Sequence, residues 1–284
     1  MQILNGKIIA DQITSELKEE FKILNEQLGR KPKLAIIQVG NLEASNRYIE
    51  IKKRKAKELN VETAVYNFPD NVRQTKILKA LDDINEDADG IIVQLPLNEN
   101  LSSQVILDAV RHEKDIDGLS TRNAFNFYNE TGEFCFTPAT AEAIMTLLKY
   151  YKIELEDKKI SVIGRSALVG KPTATLLKKE NGIVSTYSKS TGIKGVESAD
   201  LIVSATGVPN LISKENIKEN SVVIDVGASV MNVDGKNVLV GDVNTEGLED
   251  HIKALSPVPG GIGPLTVCSL FKNLAKAIRH NNHL

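Results

Sequence analysis

Lys159-Ile160-Ser161-Val162-Ile163-Gly164-Arg165-Ser166-Ala167-Leu168-Val169-Gly170-Lys171-Pro172 is the stretch whose reading decides the fold. The apolar run Ile160 to Ile163 has the length and composition of a buried strand. It breaks at Gly164, passes through a short polar turn and re-emerges as a helix carrying Leu176 and Leu177. A strand, a glycine turn and a helix form the unit whose backbone N–H groups and helix dipole can hold a nucleotide phosphate.

Working outward, the same rhythm recurs on both sides. Upstream, Ile8, Ile9, Ile13, Leu17, Phe21, Leu24 and Leu28 recur at helical spacing and stop at Gly29. Leu34 to Gly40 (LAIIQVG) reads as a strand buried on both faces, followed by a helix over 44–59, a strand over 62–68 and a helix over 75–86. Gly90 to Leu97 (GIIVQLPL) reads as the next buried strand, a less regular stretch spans 114–138, and a helix follows over 139–151. Downstream, strands over 183–187, 201–207 and 222–227 extend the sheet around the first, 238–243 (VLVGDV) adds a further short strand, and a glycine- and proline-rich loop leads into a last helix over 267–280. Alternation of this kind predicts an α/β chain with parallel sheets and crossover helices.

Composition narrows the function classes. The 284 residues suit two domains of modest size, and 42% hydrophobic with 25% charged residues is globular rather than disordered. A net charge of -2 argues against a nucleic-acid partner. Cys135 and Cys268 have neither disulfide-framework nor zinc-ligand spacing and read as buried thiols, with no metal expected. The N-terminus lacks a signal-peptide pattern and no apolar run approaches the ~18 residues of a membrane span, so a cytoplasmic location is the expectation.

Several residues stand out chemically. Tyr48 and Lys52 share one face of a helix, which fits a ring packed on a flat ligand beside a proton-handling amine. Lys53, Arg54, Lys55 and Lys57 crowd the same segment, and from the helix alone an ordinary exposed face is the better reading. Gln94 interrupts an apolar strand, and a buried amide there needs a partner, since leaving it unpaired costs about 1–3 kcal/mol. Asp115 and Asp117 precede Gly118, a turn without the further ligands that a calcium loop would need. The turn at Gly164, Arg165, Ser166 and Gly170 departs from GxGxxG; its glycines permit a tight turn and a close helix, and Arg165 and Ser166 point to phosphate. An NAD site places an acidic residue about 20 residues downstream. The next strand instead ends Thr186-Tyr187-Ser188-Lys189-Ser190-Thr191, whose hydroxyls and lysine suit a 2′-phosphate, so NADP is the expected cofactor.

Read together, ASNRYIEIKKRKA, DGIIVQLPL, KDIDG, TP, GRSALVGKP, ADLIVSATG, VVIDVG, VGDV and PVPGGIGPLT occur in one order over nearly the whole chain, and on them the sequence resembles the bifunctional methylenetetrahydrofolate dehydrogenase/methenyltetrahydrofolate cyclohydrolase family. The resemblance implies two α/β domains with parallel sheets and an active-site cleft between them: a folate-binding catalytic domain from 1–139 plus 267–284, and a Rossmann-type NADP-binding domain from 140–266. It reverses the reading of the Tyr48 helix. Tyr48 would line the pterin pocket, Lys52 would serve proton transfer and water activation with its pKa lowered by burial or by its basic neighbours, and Gln94 would orient the amine and the one-carbon unit. Asp117 would hydrogen-bond the amino-pyrimidine edge, Gly261 and Pro264 would border substrate, and Thr206, Gly207, Ser188, Lys189 and Thr191 would join Gly164, Arg165, Ser166 and Gly170 around the cofactor. The implied activity is oxidation of 5,10-methylenetetrahydrofolate with NADP+ and hydrolysis of the methenyl product to 10-formyltetrahydrofolate, by a cytoplasmic homodimer with no membrane partner. The rivals are a monofunctional NAD-dependent dehydrogenase and a catalytically inactive nucleotide-binding regulatory protein. The chain departs from the family pattern at Tyr187-Ser188-Lys189, at Cys135-Phe136-Thr137-Pro138 and near Ala124.

Overall fold

The computed structural model describes residues 1–233 and 236–284. In chain order it runs β1 (Gln2–Ile3), α1 (Gly6–Leu28), β2 (Lys33–Val39), α2 (Glu43–Glu58), β3 (Glu62–Phe68), α3 (Gln74–Asp87), β4 (Gly90–Val93), α4 (Ser103–Asp108), α5 (Thr121–Asn129) and α6 (Ala139–Tyr150). It continues with β5 (Lys159–Ile163), α7 (Gly170–Lys179), β6 (Ile183–Tyr187), β7 (Leu201–Ser204), β8 (Val222–Asp225), β9 (Ser229–Val233), β10 (Lys236–Val240), β11 (Ala254–Ser256) and α8 (Ile262–Asn282). Two compact units result: Met1–Asp11 with Thr140–Thr266, and Gln12–Ala139 with Val267–Leu284. Among the described residues no helix is long and apolar enough to cross a membrane.

The unit of Gln12–Ala139 and Val267–Leu284 is built on three parallel strands in the order β3-β2-β4. The central strand carries Leu34 to Val39 with every residue buried, as a strand covered on both faces requires. The last helix packs against this unit. Phe271 meets Phe21 of α1 edge-to-face at 6.2 Å, an arrangement contributing about 0.5–1.5 kcal/mol beyond its buried area. Asn273 donates to the carbonyls of Ile116 and Thr137. At Gly90 a Cβ would stand 2.6 Å from Leu274 Cδ1 and 2.9 Å from Ile116 Cγ2, so a side chain there would make these apolar ends shift.

The other unit holds six parallel strands in the order β1-β11-β8-β7-β5-β6. Succession runs from β5 to β6 on one side and then crosses to β7 on the other. The reversal point therefore lies between β5 and β7, where an open α/β sheet presents a crevice for ligand. Ile163, Ile202, Ile212, Val223, Leu248 and Leu255 form much of the core beneath it.

The structure changes several expectations. The first eleven residues group with 140–266, because β1 pairs in parallel with β11 through Gln2↔Ala254 and Ile3↔Leu255. The strand expected over Gly90 to Leu97 ends at Val93; Gln94 N makes a last ladder bond to Ile37 O, and Pro96, two residues on, has no N–H with which to continue. The stretch 114–138 contains α5, started by Ser120, whose side chain accepts from Asn123 N, and ended at Glu130 in the left-handed region. Val238 to Val240 do not join the parallel sheet but pair antiparallel with β9. The last helix begins at Ile262, which puts Pro264 in its first turn, where an N–H has no helical acceptor in any case. Cys268 is buried, whereas Cys135 is partly exposed.

Candidate functional site

On α2 the buried positions Ser45, Ile49, Lys52 and Ala56 form one stripe, so Lys52 occupies what would otherwise be a core position. Only 9% of the residue is exposed. Its Nζ donates to Gln94 Oε1 at 2.9 Å, and Gln94 Nε2 in turn donates to Leu95 O at 2.9 Å, which fixes the amide with its oxygen toward the amine. Burial lowers the Lys52 pKa, and the negative charge of Asp117 opposes the shift. The expected contribution of basic neighbours is absent as a cause: Lys53 pairs with Glu50, and Lys55 with Glu58 and Thr14 Oγ1. Tyr48, one turn earlier, is 36% exposed, and burial of its ring raises the phenol pKa, so the group remains a hydroxyl.

Asp115 and Asp117 separate into two roles. Asp115 is buried; its Oδ2 accepts from Ser120 N at 2.7 Å and Asn123 Nδ2 at 2.9 Å. Asn123 also donates to His112 O and accepts from Phe136 N, so this carboxylate fixes the loop rather than the ligand. Gly118, at φ +73°, then turns the chain against Phe136 O. Asp117, set by that loop, has its pKa raised by burial and lowered by Lys52. In each group burial favours the neutral form and the charge of the other opposes it. Tyr48, Lys52, Gln94 and Asp117 thus all lie in the unit of Gln12–Ala139.

The Gly164–Gly170 turn, at the reversal point of the other sheet, is shaped by two absent side chains. Gly164 sits at φ +106°, and a Cβ there would lie 2.4 Å from Ala205 O. A Cβ on Gly170 would lie 2.0 Å from Gly164 O, so glycine lets α7 begin directly against the turn. Such a cradle fits a nucleotide brought close to backbone. The helix N-terminus offers less than expected, because Lys171 N bonds Ser166 O, Thr173 N bonds Val169 O and Pro172 has no N–H. The exposed side chains around the turn are ordered locally. Arg165 is held at the end of β6, with Nε donating to Thr186 Oγ1 at 3.0 Å and Nη2 to Thr186 O at 2.6 Å. Ser188 N donates to Thr191 Oγ1 at 2.8 Å, and the Ser188 and Ser190 hydroxyls are 2.9 Å apart, leaving Lys189 exposed on a compact hydroxyl-rich turn.

Gly261 and Pro264 belong to this second unit. Gly6 N and Lys7 N donate to Gly260 O at 2.9 and 3.1 Å, and a Cβ on Gly6 would lie 1.9 Å from Gly261 O. The missing side chain of Gly6 is therefore what lets the start of α1 sit against this loop.

Two carboxylates that sequence reasoning passed over lie at the same sheet end. Asp225 accepts from Gly227 N, Asp242 N and Val243 N, and Asp242 Oδ2 accepts from Ser204 Oγ, Thr206 N and Thr206 Oγ1. The signal was a single Asp in each of two otherwise apolar runs, VVIDVG and VLVGDV. Burial pushes Asp225 up to about 6; the Asp242 and Val243 N–H groups pull it down and the Asp242 charge adds to the rise. A native pKa above the unfolded value gives stability that is complete below about 4 and lost as pH rises through about 6. The stability of the protein relative to Asp225→Asn is expected to fall across that window by on the order of 1 kcal/mol per pH unit. Urea unfolding of both proteins at several pH values measures it, and parallel curves would refute it.

Residues 4–117 match the tetrahydrofolate dehydrogenase/cyclohydrolase catalytic domain, and residues 138–282 the NAD(P)-binding domain of the same family. The bifunctional protein FolD of Mycoplasmopsis synoviae is 48% identical over 278 residues, covering 97% of this chain and 99% of that relative. The crystal structure of the bifunctional FolD methylenetetrahydrofolate dehydrogenase/cyclohydrolase from Campylobacter jejuni matches at a TM-score of 0.90 with 34% identity and 100% of both chains covered. The Trypanosoma brucei methylenetetrahydrofolate dehydrogenase-cyclohydrolase, complexed with NADP cofactor and inhibitor, matches at a TM-score of 0.93 with 32% identity over 99% of this chain and 98% of that one.

Proposed function

The chain belongs to the tetrahydrofolate dehydrogenase/cyclohydrolase family, and from that premise we propose that it oxidises 5,10-methylenetetrahydrofolate with NADP+ and hydrolyses the methenyl product to 10-formyltetrahydrofolate. The observation that carries this reading is the buried Lys52 amine, hydrogen-bonded to Gln94 and opposed by Asp117. A pKa lowered by burial makes the amine available in its neutral form to take a proton from an attacking water. Gln94 orients that amine, Asp117 accepts hydrogen bonds from the amino-pyrimidine edge of the pterin, and the Tyr48 ring packs on its face. NADP+ supplies the hydride acceptor. Gly164, Arg165, Ser166, Gly170, Ser188, Lys189, Thr191, Thr206 and Gly207 would hold it, with Arg165 and the hydroxyl-rich turn at the 2′-phosphate; Gly261 and Pro264 border the substrate. In this reading the Gln12–Ala139 unit with its C-terminal helix binds folate and the other unit binds dinucleotide. The protein works in the cytoplasm as a homodimer.

Spectrophotometric turnover of methylenetetrahydrofolate with NADP+ and NAD+ in parallel, with methenyl hydrolysis followed separately, tests the proposal. NADP+-dependent oxidation together with methenyl hydrolysis is expected. Turnover with NAD+ alone, or no acceleration of methenyl hydrolysis, would overturn it.

A further inference from the structure

Behind the cofactor residues lies a fully buried carboxylate. Asp242 is 0% exposed, as is Ser204. One oxygen, Oδ2, takes three donors: Ser204 Oγ at 2.8 Å, Thr206 N at 2.7 Å and Thr206 Oγ1 at 2.9 Å. Thr206 Oγ1 in turn accepts from Val208 N at 3.2 Å, so Thr206 links this oxygen to the next two residues of the turn after β7. Gly207 at the tip, at φ +69°, has open space where a Cβ would stand, and its carbonyl accepts from Ser229 Oγ at 2.8 Å. The backbone of Asp242 is itself fixed: Asp225 accepts from Asp242 N and Val243 N at 3.0 Å each. The packing is so close that a Cβ on Gly227 would lie 2.1 Å from Asp242 Oδ1, and one on Gly241 would lie 1.9 Å from Asp225 Oδ2.

The other oxygen of Asp242, Oδ1, has no hydrogen-bond partner among the described residues, and burying it carries a desolvation cost. What the carboxylate secures is a turn at the reversal point of the sheet, next to Ala205, whose carbonyl faces Gly164. A carboxylate oxygen suits the task because it only accepts, and three donors converge on it. We propose that Asp242 is a positioning residue for the dinucleotide, holding the Thr206–Val208 turn in binding geometry through Thr206. The inference rests on the reading above that Thr206 and Gly207 contact the cofactor.

The test is steady-state kinetics and NADPH fluorescence titration on Asp242→Ala, Asp242→Asn, Thr206→Val and the Asp242→Ala/Thr206→Val double variant. Asp242→Ala should raise the NADP+ KM by about tenfold or more with a smaller change in kcat, as expected when binding geometry is lost. Asp242→Asn, which can present its carbonyl oxygen to the same three donors, should recover most of the loss. Thr206→Val should reproduce part of the effect, and the double variant should be less than additive, because both act through one contact. An unchanged KM in Asp242→Ala, or equal losses in KM and kcat that Asp242→Asn does not rescue, would overturn the inference. If Asp242→Ala does not fold, an unchanged KM in Thr206→Val overturns it. Failure of the functional reading has a separate signature: the unaltered protein would not turn over NADP+. The NADPH titration would then decide between the variants, and no binding by the unaltered protein would overturn both.

Discussion

Lys52→Met is expected to lower methenyl hydrolysis by about 10²–10⁴-fold, the usual contribution of a positioned general acid or base, while the variant still binds folate. The expectation follows from where the amine sits. Ile49 and Ala56 flank it on the buried stripe of α2, and Met fills the same volume without the amine. The pterin contacts assigned to Tyr48 and Asp117 do not depend on Nζ, so substrate affinity should survive. The pH profile carries a second expectation. Hydration needs neutral Lys52, and burial lowers its pKa from 10.5, so the rate should rise with pH through a midpoint below that value. Asp117 opposes the lowering, so Asp117→Asn should move the midpoint further down. Methenyl hydrolysis assayed from acid to alkaline pH, with a thermal melt as the folding control, measures all of this. Hydrolysis retained in a folded Lys52→Met protein would remove Lys52 from the mechanism.

How much of this was legible in the sequence depends on range. Continuous apolar runs such as Leu34 to Val39 and Ile160 to Ile163 announced buried parallel strands, and β3 matches its expected span. Strand β1 was invisible: two residues carry no periodicity, and its partner β11 lies some 250 residues away. Helix α5 was hidden by its three asparagines, poor helix formers that here are partly spent on tertiary bonds. The antiparallel pairing of Val238 to Val240 with β9 had a local signal that the strand-by-strand reading passed over: the dipeptide Asp234-Gly235 between the two runs is a typical hairpin sequence. At the site, Tyr48 and Lys52 could be placed on one helical face, and Lys52 could have been recognised as buried: it lies three residues after Ile49 and four before Ala56, a core position occupied by a cation. The Lys52–Gln94 bond and the influence of Asp117 join three elements and exist only in the fold. The same holds for Asp242, whose partners Ser204 and Thr206 are 38 and 36 residues earlier.

Arg165→Ala is expected to raise the KM for NADP+ by about 10–100-fold and to leave the KM for NAD+ within about threefold, converting a preference for the phosphorylated cofactor into near-indifference. The two cofactors differ only in the 2′-phosphate, and a residue acting there must be cationic, close to the ribose and fixed in place. Arg165 follows the turn glycine, and its guanidinium is braced by two hydrogen bonds to Thr186, so little freedom remains to be lost on binding. The end of β6 carries no carboxylate that would favour a free 2′-hydroxyl or repel the phosphate, and the Ser188–Thr191 turn presents hydroxyls instead. A charge-assisted hydrogen bond contributes about 1.5–3 kcal/mol, which sets the fold-change above. The pattern across cofactors is the discriminating measurement. Equal losses with NADP+ and NAD+ would move Arg165 from the 2′-phosphate to the pyrophosphate that both share. No change with either would mean that Arg165 does no more than tie its loop to Thr186, and 2′-phosphate recognition would then fall to Lys189 and the hydroxyls around it.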